Sequence, residues 1–308
     1  MRIGVDLGGT KTEVIALDER GVERFRRRVS TPQGDYAGTV AVVKQLVEEA
    51  ERATATGTVG IGIPGTISPA RGVVKNANST WLNGRPLKED LEAALGREVR
   101  IANDANCFAL SEAADGAAAG ARTVFGVIVG TGTGGGIIVD GRVLVGPNAI
   151  AGEWGHNPLP WPEGDEWPGP PCYCGRTGCI ETFLSGPGLA RDHHRRTGAR
   201  LDAAAIAAAA ARGEREASAT LDRYERRMAR ALASVVNVMD PDVIVIGGGL
   251  SNIRRLYESV PRLWGEYVFS DAVDTGVVPA AHGDASGVRG AAWLWPAVTT
   301  GPDPADPR

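Results

Sequence analysis

The sequence has no apolar run long enough to cross a membrane. Its longest apolar stretches, such as VIVIGGGL at residues 243–250, fall far short of the about 20 residues that a transmembrane helix needs. The N-terminal residues MRIGVDLGG enter a strand pattern at once and contain no apolar region of signal-peptide length. We therefore expect a cytoplasmic protein without a membrane partner, in a compartment that keeps thiols reduced.

The sequence also lacks an excess of positive charge. It has 33 Lys and Arg against 37 Asp and Glu, a formal net charge of −4 at pH 7, which gives no electrostatic basis for binding nucleic acid. Its 308 residues, of which 43% are hydrophobic and 23% charged, suffice for two globular domains with full cores.

A pattern of strand, glycine-rich turn and strand occurs twice. GVDLGGTKTEVIALDERG begins at Gly4, and GVIVGTGTGGGIIVDGR begins at Gly126. The two stretches align as the same hairpin, so we interpret them as an internal repeat that opens two related α/β halves. A third glycine cluster, Gly247–Gly249, follows the buried strand DVIVI.

The glycine turns lack both common nucleotide-binding motifs. Neither hairpin matches G-x-x-x-x-G-K-[ST], and neither is a G-x-G-x-x-G that opens a helix. One such turn would be explained as a tight connection, but two related turns indicate phosphate binding through backbone N–H groups. Two phosphate-facing hairpins are the arrangement of actin-like sugar kinases. At the first hairpin we expect Asp6 to hold Mg²⁺ through water, and Thr10 and Lys11 to contact phosphate.

Three short segments carry carboxylates suited to a polyhydroxylated substrate. IANDAN places Asn103 and Asp104 where a strand gives way to a helix, so Asp104 is either a general base for a sugar hydroxyl or a helix cap. GEWGHNP supplies Glu153 and His156, and GCIETF supplies Glu181. A glutamate of this kind is often a solvated surface residue, but a carboxylate that accepts hydrogen bonds from hydroxyl groups discriminates strongly between sugars.

The few cysteines are clustered. Three of the four lie in CYCGRTGC, and with the preceding histidine they give H-x15-C-x-C-x4-C. A Cys₃His set suits tetrahedral zinc with no open position, so we predict a structural zinc site at His156, Cys172, Cys174 and Cys179. The alternative, a disulfide between Cys172 and Cys179, is disfavoured in a reducing compartment. Cys107 is expected to pack as a small apolar residue.

Together, DLGGTKT, GIPG, NDAN, GTGTGGG, GEWGH and CYCGRTGCIE resemble the ROK family of sugar kinases and related transcriptional repressors, over residues 1–297. VVKNANSTWLNGRPL, GEWGHNPLPW, PCYCG and HGDASGVRGAAWLW are most similar to its bacterial fructokinase (mannofructokinase) branch. One departure is the long, proline-rich segment WPEGDEWPGPP before the first clustered cysteine.

The resemblance implies an α/β protein with the actin-like ATPase (ribonuclease H-like) fold, in which two domains flank an interdomain cleft. We expect a small N-terminal domain at residues 1–117, completed by a C-terminal helix at 287–300. A larger domain with the zinc-binding loop is expected at 118–286, followed by a disordered tail at 301–308.

The resemblance also implies roles for individual residues. ATP with Mg²⁺ is the expected phosphoryl donor, and Asp104 is the expected general base acting on the 6-hydroxyl of a hexose. The implied sugar site consists of Gly65, Asn78, Asn103, Asp104, Glu153, His156 and Glu181, with His156 using its second ring nitrogen. The implied ATP and Mg²⁺ site consists of Gly4, Val5, Asp6, Leu7, Gly8, Gly9, Thr10, Lys11 and Thr12; of Gly130, Thr131, Gly132, Thr133, Gly134, Gly135, Gly136 and Ile137; and of Gly247, Gly248 and Gly249 beside the adenosine.

We expect an ATP-dependent fructokinase that converts D-fructose to fructose 6-phosphate and tolerates mannose, with a homodimer as its assembly. A kinase for glucose or an N-acetylated hexosamine is the alternative. A sugar-sensing repressor would carry a helix-turn-helix ahead of the first hairpin, where only Met1 and Arg2 are found. An inactive sugar-binding module would have a damaged base or phosphate turn, and both look intact.

Overall fold

The computed structural model describes residues 1–296. These residues form two compact units. The first contains Met1–Ile67, Gly72–Ala102 and the C-terminal stretch from Ala291, and the second contains Ser68–Arg71 and Asn103–Gly290. Among the described residues, no helix combines the length and the hydrophobicity that a bilayer span requires.

The first unit is built on a five-stranded sheet of order β3-β2-β1-β4-β7, with a separate two-stranded pair, β5-β6. The strands are β1 (Arg2–Leu7), β2 (Lys11–Leu17), β3 (Glu23–Ser30), β4 (Thr58–Ile63), β5 (Thr66–Ile67), β6 (Val74–Lys75) and β7 (Val99–Asn103). Two helices accompany them, α1 (Tyr36–Ala53) and α2 (Leu87–Leu95). Helix α1 begins where it does because the side chain of Asp35 accepts a hydrogen bond from the backbone N–H of Gly38 at 2.9 Å.

The core of the first unit lies where α1 packs on the sheet. Strand β1 is central, pairing antiparallel with β2 and parallel with β4, so its apolar residues are fully buried. The buried face of α1 repeats at helical spacing and supplies Val43, Leu46, Val47 and Ala50.

The second unit is built on a sheet of order β10-β9-β8-β11-β12. The strands are β8 (Thr123–Val129), β9 (Thr133–Val139), β10 (Arg142–Val143), β11 (Val243–Gly247) and β12 (Gly276–Pro279). The helices are α3 (Asp104–Asp115), α4 (Glu181–Leu184), α5 (Gly186–Thr197), α6 (Ala203–Ala211), α7 (Arg215–Met239), α8 (Leu256–Trp264) and α9 (Ser286–Trp293). The division between the units falls inside α9.

The repeat predicted from the sequence is present in both sheets. In each, an antiparallel hairpin is followed by a strand that pairs parallel with its first member: β4 beside β1, and β11 beside β8. The α/β class and the two hairpins are therefore confirmed. The predicted tail at 301–308, and residues 297–300 of the predicted C-terminal helix, lie outside the described residues.

Helix α3 groups with the second unit, whereas the sequence predicts it in a domain ending at residue 117. It lies close on β8 and β9 because glycines face it. A Cβ at Gly126 would come within 2.6 Å of the Ala109 Cβ, and a Cβ at Gly136 within 2.5 Å of the Ala105 carbonyl oxygen. The chain therefore divides after Ala102 and after Gly290.

Candidate active site and metal centre

The predicted base opens helix α3. Asn103 is the N-cap, and its side-chain oxygen accepts the backbone N–H of Ala105 at 2.8 Å. Asp104, the first helical residue, accepts the same N–H at 2.7 Å. Partial desolvation by the surrounding protein raises the pKa of Asp104, and the negative charge of Glu153 raises it further. Because Asn103 fills the cap position, capping alone does not explain the acid at 104.

The turn that carries Glu153 and His156 is fixed to the second hairpin. The indole N–H of Trp154 donates to the Gly134 carbonyl oxygen at 3.0 Å, and its ring meets Phe125 edge-on, with centroids 5.6 Å apart. A Cβ at Gly155 would lie 2.0 Å from the carbonyl oxygen of Thr133. The glycine in EWGH is thus required by the close approach of this turn to β9.

Glu181 is held by the same hairpin from the other side. It is the first residue of α4, and its Oε2 accepts the backbone N–H of Thr133 at 3.0 Å. A Cβ at Gly132 would lie 2.7 Å from that oxygen. The structure therefore brings Glu181 to the glycine turn at Gly130–Gly132, an arrangement that the sequence did not reveal.

The three clustered cysteines and one histidine form a group that can hold a metal. The ligand atoms of His156, Cys172, Cys174 and Cys179 all lie within 4.8 Å of one another. The Sγ of Cys172 is 3.6 Å from the Nδ1 of His156, and the Sγ atoms of Cys174 and Cys179 are 3.6 Å apart. Tetrahedral zinc with bonds of about 2.3 Å to sulfur and about 2.0 Å to nitrogen separates its ligands by about 3.5–3.8 Å. The donor set and its spacing therefore fit zinc, and the cysteines, all within the described residues, form no disulfide.

Short backbone contacts hold this group together. The Cys172 N–H donates to the Arg176 carbonyl at 2.8 Å, and the Gly175 N–H donates to the Cys172 carbonyl at 3.1 Å. The second ring nitrogen of His156, expected to face a sugar, lies 2.9 Å from the hydroxyl of Tyr173. The sequence did not predict this contact, because Tyr173 lies between two metal-ligand positions and matches no motif. Its side chain is 83% exposed.

A cavity of about 690 Å³ lies next to the second and third glycine clusters. Gly130 and Thr131 of the second hairpin and Gly249 after β11 line it, and α5 and α6 complete its walls with Pro187, Ala190, Ala203 and Ala207. Gly248 has φ +81°, and a Cβ there would lie 2.4 Å from the Val129 carbonyl oxygen. The volume of the cavity and its mainly apolar walls are those of a pocket for a nucleoside-sized ligand. The alanine-rich α6 gave no such indication in the sequence.

The predicted residues of the first hairpin, together with Gly65 and Asn78, belong to the first unit. The turn after β1 is closed by the Gly8 N–H, which donates to the Lys11 carbonyl at 3.0 Å. A Cβ at Gly9 would meet Ser79 Oγ at 2.8 Å, so the turn lies beside the segment that carries Asn78. Gly65 adopts φ +76°, where a Cβ would lie 2.4 Å from the Lys75 carbonyl oxygen.

A family model described as ROK family matches residues 2–298 of the chain. The chain belongs to the ROK family. It is 42% identical over 299 residues to an N-acetyl-D-glucosamine kinase of Photobacterium profundum, covering 96% of this chain and 99% of that protein. Two solved ROK structures share the fold. A ROK hexokinase from Thermus thermophilus has TM-score 0.84 and 32% identity, covering 95% of this chain and 97% of that one. A ROK family glucokinase from Streptomyces griseus, in complex with glucose and AMPPNP, has TM-score 0.76 and 28% identity, covering 95% and 98%.

These comparisons confirm the ROK family and its actin-like ATPase fold, and they support a sugar kinase as the reaction class. They do not support the fructokinase branch, because curated relatives that are 41–42% identical to this chain are N-acetyl-D-glucosamine kinases. Two of the motifs behind that prediction, GEWGHNPLPW and PCYCG, lie at the Cys₃His group, and the other two lie at residues 73–87 and 282–295. A likeness in four short stretches indicates the family better than it indicates which sugar is bound.

Proposed function

We propose that this ROK protein is an ATP-dependent kinase that phosphorylates N-acetyl-D-glucosamine on its 6-hydroxyl. The observation that carries the proposal is the 42% identity to an N-acetyl-D-glucosamine kinase over nearly the full length of both chains. The candidate base at the start of α3, Glu181 at the glycine turn and the Cys₃His group support it.

In the proposed reaction, Asp104 accepts the proton of the 6-hydroxyl as that oxygen bonds to the γ-phosphorus of ATP. The bond between the γ-phosphorus and the β–γ bridging oxygen breaks, and ADP leaves. A carboxylate with a raised pKa is a stronger base than an ordinary aspartate, so partial desolvation and the charge of Glu153 favour this role. Asn103, Glu153 and Glu181 are proposed to bind sugar hydroxyls.

The nucleotide is proposed to bind with its adenosine in the 690 Å³ cavity, beside Gly247–Gly249. In the second hairpin, the backbone N–H groups of Thr131 and Gly132 are proposed to bind phosphate, since the Gly130 N–H donates to the Gly132 carbonyl at 2.9 Å. In the first hairpin, the N–H groups of Gly9 and Thr10 are proposed as phosphate donors, since the Gly8 N–H closes the turn. Asp6, at the end of β1, would hold Mg²⁺ through water. Phosphoryl transfer asks the protein mainly for such positioning and charge stabilisation.

The Cys₃His group is proposed to hold a structural zinc ion. All four ligands come from the chain, so the ion would supply folding energy to the loop and no open coordination position. It would join the EWGH turn to the segment that leads into Glu181. The homodimer expected from the family stays a prediction.

The test measures ADP release over a panel of sugars, with and without Mg²⁺. N-acetyl-D-glucosamine, N-acetyl-D-mannosamine, D-glucose, D-mannose and D-fructose are compared by kcat/KM. We expect the highest value for N-acetyl-D-glucosamine and no turnover without Mg²⁺. A higher kcat/KM for D-fructose would restore the fructokinase prediction and refute the proposed sugar. Absence of turnover with every sugar would refute the kinase.

A further inference from the structure

A second cavity, of about 270 Å³, lies between α5, α7 and the proline-rich segment that precedes the metal group. It shares no lining residue with the 690 Å³ cavity. Its lining includes three arginines, Arg191 and Arg195 of α5 and Arg227 of α7, and two carboxylates, Asp165 and Asp192. The volume suits a small ligand rather than a nucleotide. We call it the arginine cavity.

The arginine cavity is lined by a network with surplus positive charge. Asp192 bridges three arginines of the network, and Glu166 bridges two. The network with its rim contains six arginines, Arg191, Arg195, Arg196, Arg223, Arg227 and Arg230, against four carboxylates, Glu163, Asp165, Glu166 and Asp192. The arginines of the network therefore outnumber its carboxylates by two.

Arg191 carries part of this surplus charge. Its guanidinium donates to the carbonyl oxygen of Thr182, and within residues 1–296 no carboxylate comes within ion-pair distance of it. Desolvation and the neighbouring charge of Arg195 lower the pKa of Arg191, and the negative charge of Asp192, which lies beyond ion-pair distance, offsets them only in part. By contrast, Arg195 contacts Asp165 at 2.6 Å and Arg227 contacts Glu166 at 2.7 Å. Arg191 is thus the cation of the cavity with donors to offer to a ligand.

Buried ion pairs within the chain hold the frame of the cavity. Glu166, Asp192, Arg227 and Arg230 expose between 1% and 7% of their side chains, and each is held by at least two charge-assisted hydrogen bonds. Burial alone would raise the pKa of Asp192, but Arg227 and Arg223 hold it below its usual value. A preorganised cationic wall needs little ordering when an anion binds.

We propose that the arginine cavity binds a small phosphate-bearing anion, either free phosphate or the phosphate group of a small ester, at Arg191. A guanidinium offers a planar fork that matches phosphate oxygens, and Arg191 lines the cavity without an ion pair to any described residue, whereas Arg195 is already paired with Asp165 and Asp192. The inference rests on the charges and contacts of this cavity and is independent of which sugar the enzyme phosphorylates.

Binding there would reach the active site through a short path. Arg191 holds the Thr182 carbonyl, and Thr182 follows Glu181 in α4. Glu181 in turn accepts the Thr133 N–H of the glycine turn at 3.0 Å. An anion that draws the guanidinium of Arg191 away from Thr182 therefore alters the support of a proposed sugar ligand, and we expect it to change the KM for sugar.

The test is a calorimetric titration of the full chain, saturated with Mg²⁺ and a non-hydrolysable ATP analogue so that the nucleotide site is filled. Inorganic phosphate and glucose 6-phosphate are the two probes, at constant ionic strength. We expect binding to the unaltered protein and at least about tenfold weaker binding to Arg191→Ala, which corresponds to about 1.4 kcal/mol. Arg191→Lys keeps the charge without the fork and should fall between them.

The matched control is Arg200→Ala, which removes an exposed arginine of the same unit that lines neither cavity. It should bind both probes as the unaltered protein does. Tighter binding of glucose 6-phosphate would identify an ester as the ligand class, and equal binding would identify the phosphate group alone; either supports the site. Equal affinity of Arg191→Ala and the unaltered protein, or no binding at millimolar concentrations, would overturn it. A sugar KM that phosphate shifts equally in both proteins would overturn the path through Thr182.

Discussion

Replacing Asp104 by Asn separates the base from the helix cap. The amide keeps the size of the carboxylate, and its oxygen can still accept the Ala105 N–H that Asp104 accepts at 2.7 Å. Asn103 remains as the N-cap, with its own 2.8 Å bond to that N–H. We therefore expect the free energy of unfolding to change by less than about 1 kcal/mol, which is a shift in Tm of about 2–4 °C for a unit of this size.

Turnover should respond very differently. An amide cannot take the proton of the attacking hydroxyl, and a positioned general base contributes about 10²–10⁴-fold, or about 2.7–5.5 kcal/mol of the barrier. In the proposed mechanism only the deprotonated Asp104 accepts the proton, and desolvation with the charge of Glu153 raises its pKa. Activity of the unaltered enzyme should consequently disappear, as pH falls, at a higher pH than for an ordinary aspartate. The acid limb of the profile should be missing in Asp104→Asn.

The assay is coupled ADP release at saturating sugar and MgATP from pH 4.5 to 8.5, with Tm measured on the same samples. A kcat for Asp104→Asn within about tenfold of the unaltered enzyme would refute the base assignment, because it would show that the reaction does not need the Asp104 carboxylate to accept the proton. A large loss of kcat accompanied by a fall in Tm of more than about 10 °C would refute the reasoning on the cap.

Three further predictions concern the metal group, the ion network and the nucleotide pocket. Cys174→Ser should lose bound zinc by elemental analysis and lower Tm, while Cys107→Ala, remote from the group, keeps the metal. Glu166→Gln removes the carboxylate that two buried arginines share and should cost about 3–5 kcal/mol in urea unfolding, against about 0–1 for Asp165→Asn at the exposed rim. Burial would raise the pKa of Glu166, but hydrogen bonds from arginine hold that pKa low. The contribution of the Glu166 charge to the free energy of unfolding is therefore fully present above the pKa of an unfolded glutamate and is lost as pH falls through the folded pKa. A stability difference between the unaltered protein and Glu166→Gln that persists at acid pH would contradict this. Gly248→Ala places a Cβ 2.4 Å from a carbonyl of β8 at φ +81°, so KM for ATP should rise with the KM for sugar unchanged.

The glycine hairpins and the metal group could be predicted because their signals are local. Two hairpins of the same pattern predict two sheets, since the turn residues and the alternating apolar strands are both written in a short stretch. The three cysteines of the metal group are also close together in the sequence. His156 is more distant, and the fold of the loop between it and Cys172 brings the Cys172 Sγ to 3.6 Å from the His156 Nδ1.

The grouping of α3 and the arginine cavity could not be predicted for the opposite reason. Helix α3 joins the second unit through Gly126 and Gly136, which lie on the next two strands, and nothing in the sequence says which helix these glycines accommodate. The arginines at 191 and 227 lie on different helices and read as solvated charges until packing brings both to one cavity, where Asp192 pairs with Arg227. The choice of sugar was missed because a likeness in short motifs does not reveal which side chains meet the sugar.

The second hairpin shows that one glycine motif serves two purposes. In GTGTGGG, the turn itself is Gly130–Gly132, while the later glycines lie within strand β9. A Cβ at Gly135 would lie 2.8 Å from the indole of Trp154, and a Cβ at Gly136 would lie 2.5 Å from the carbonyl oxygen of Ala105. Those two glycines are therefore required by the EWGH turn and by helix α3, which carry Glu153 and Asp104. From the sequence pattern alone, the whole run is predicted to bind phosphate. In the structure, only its first half forms the turn. Its second half packs against the EWGH turn and helix α3 and so positions Glu153 and Asp104.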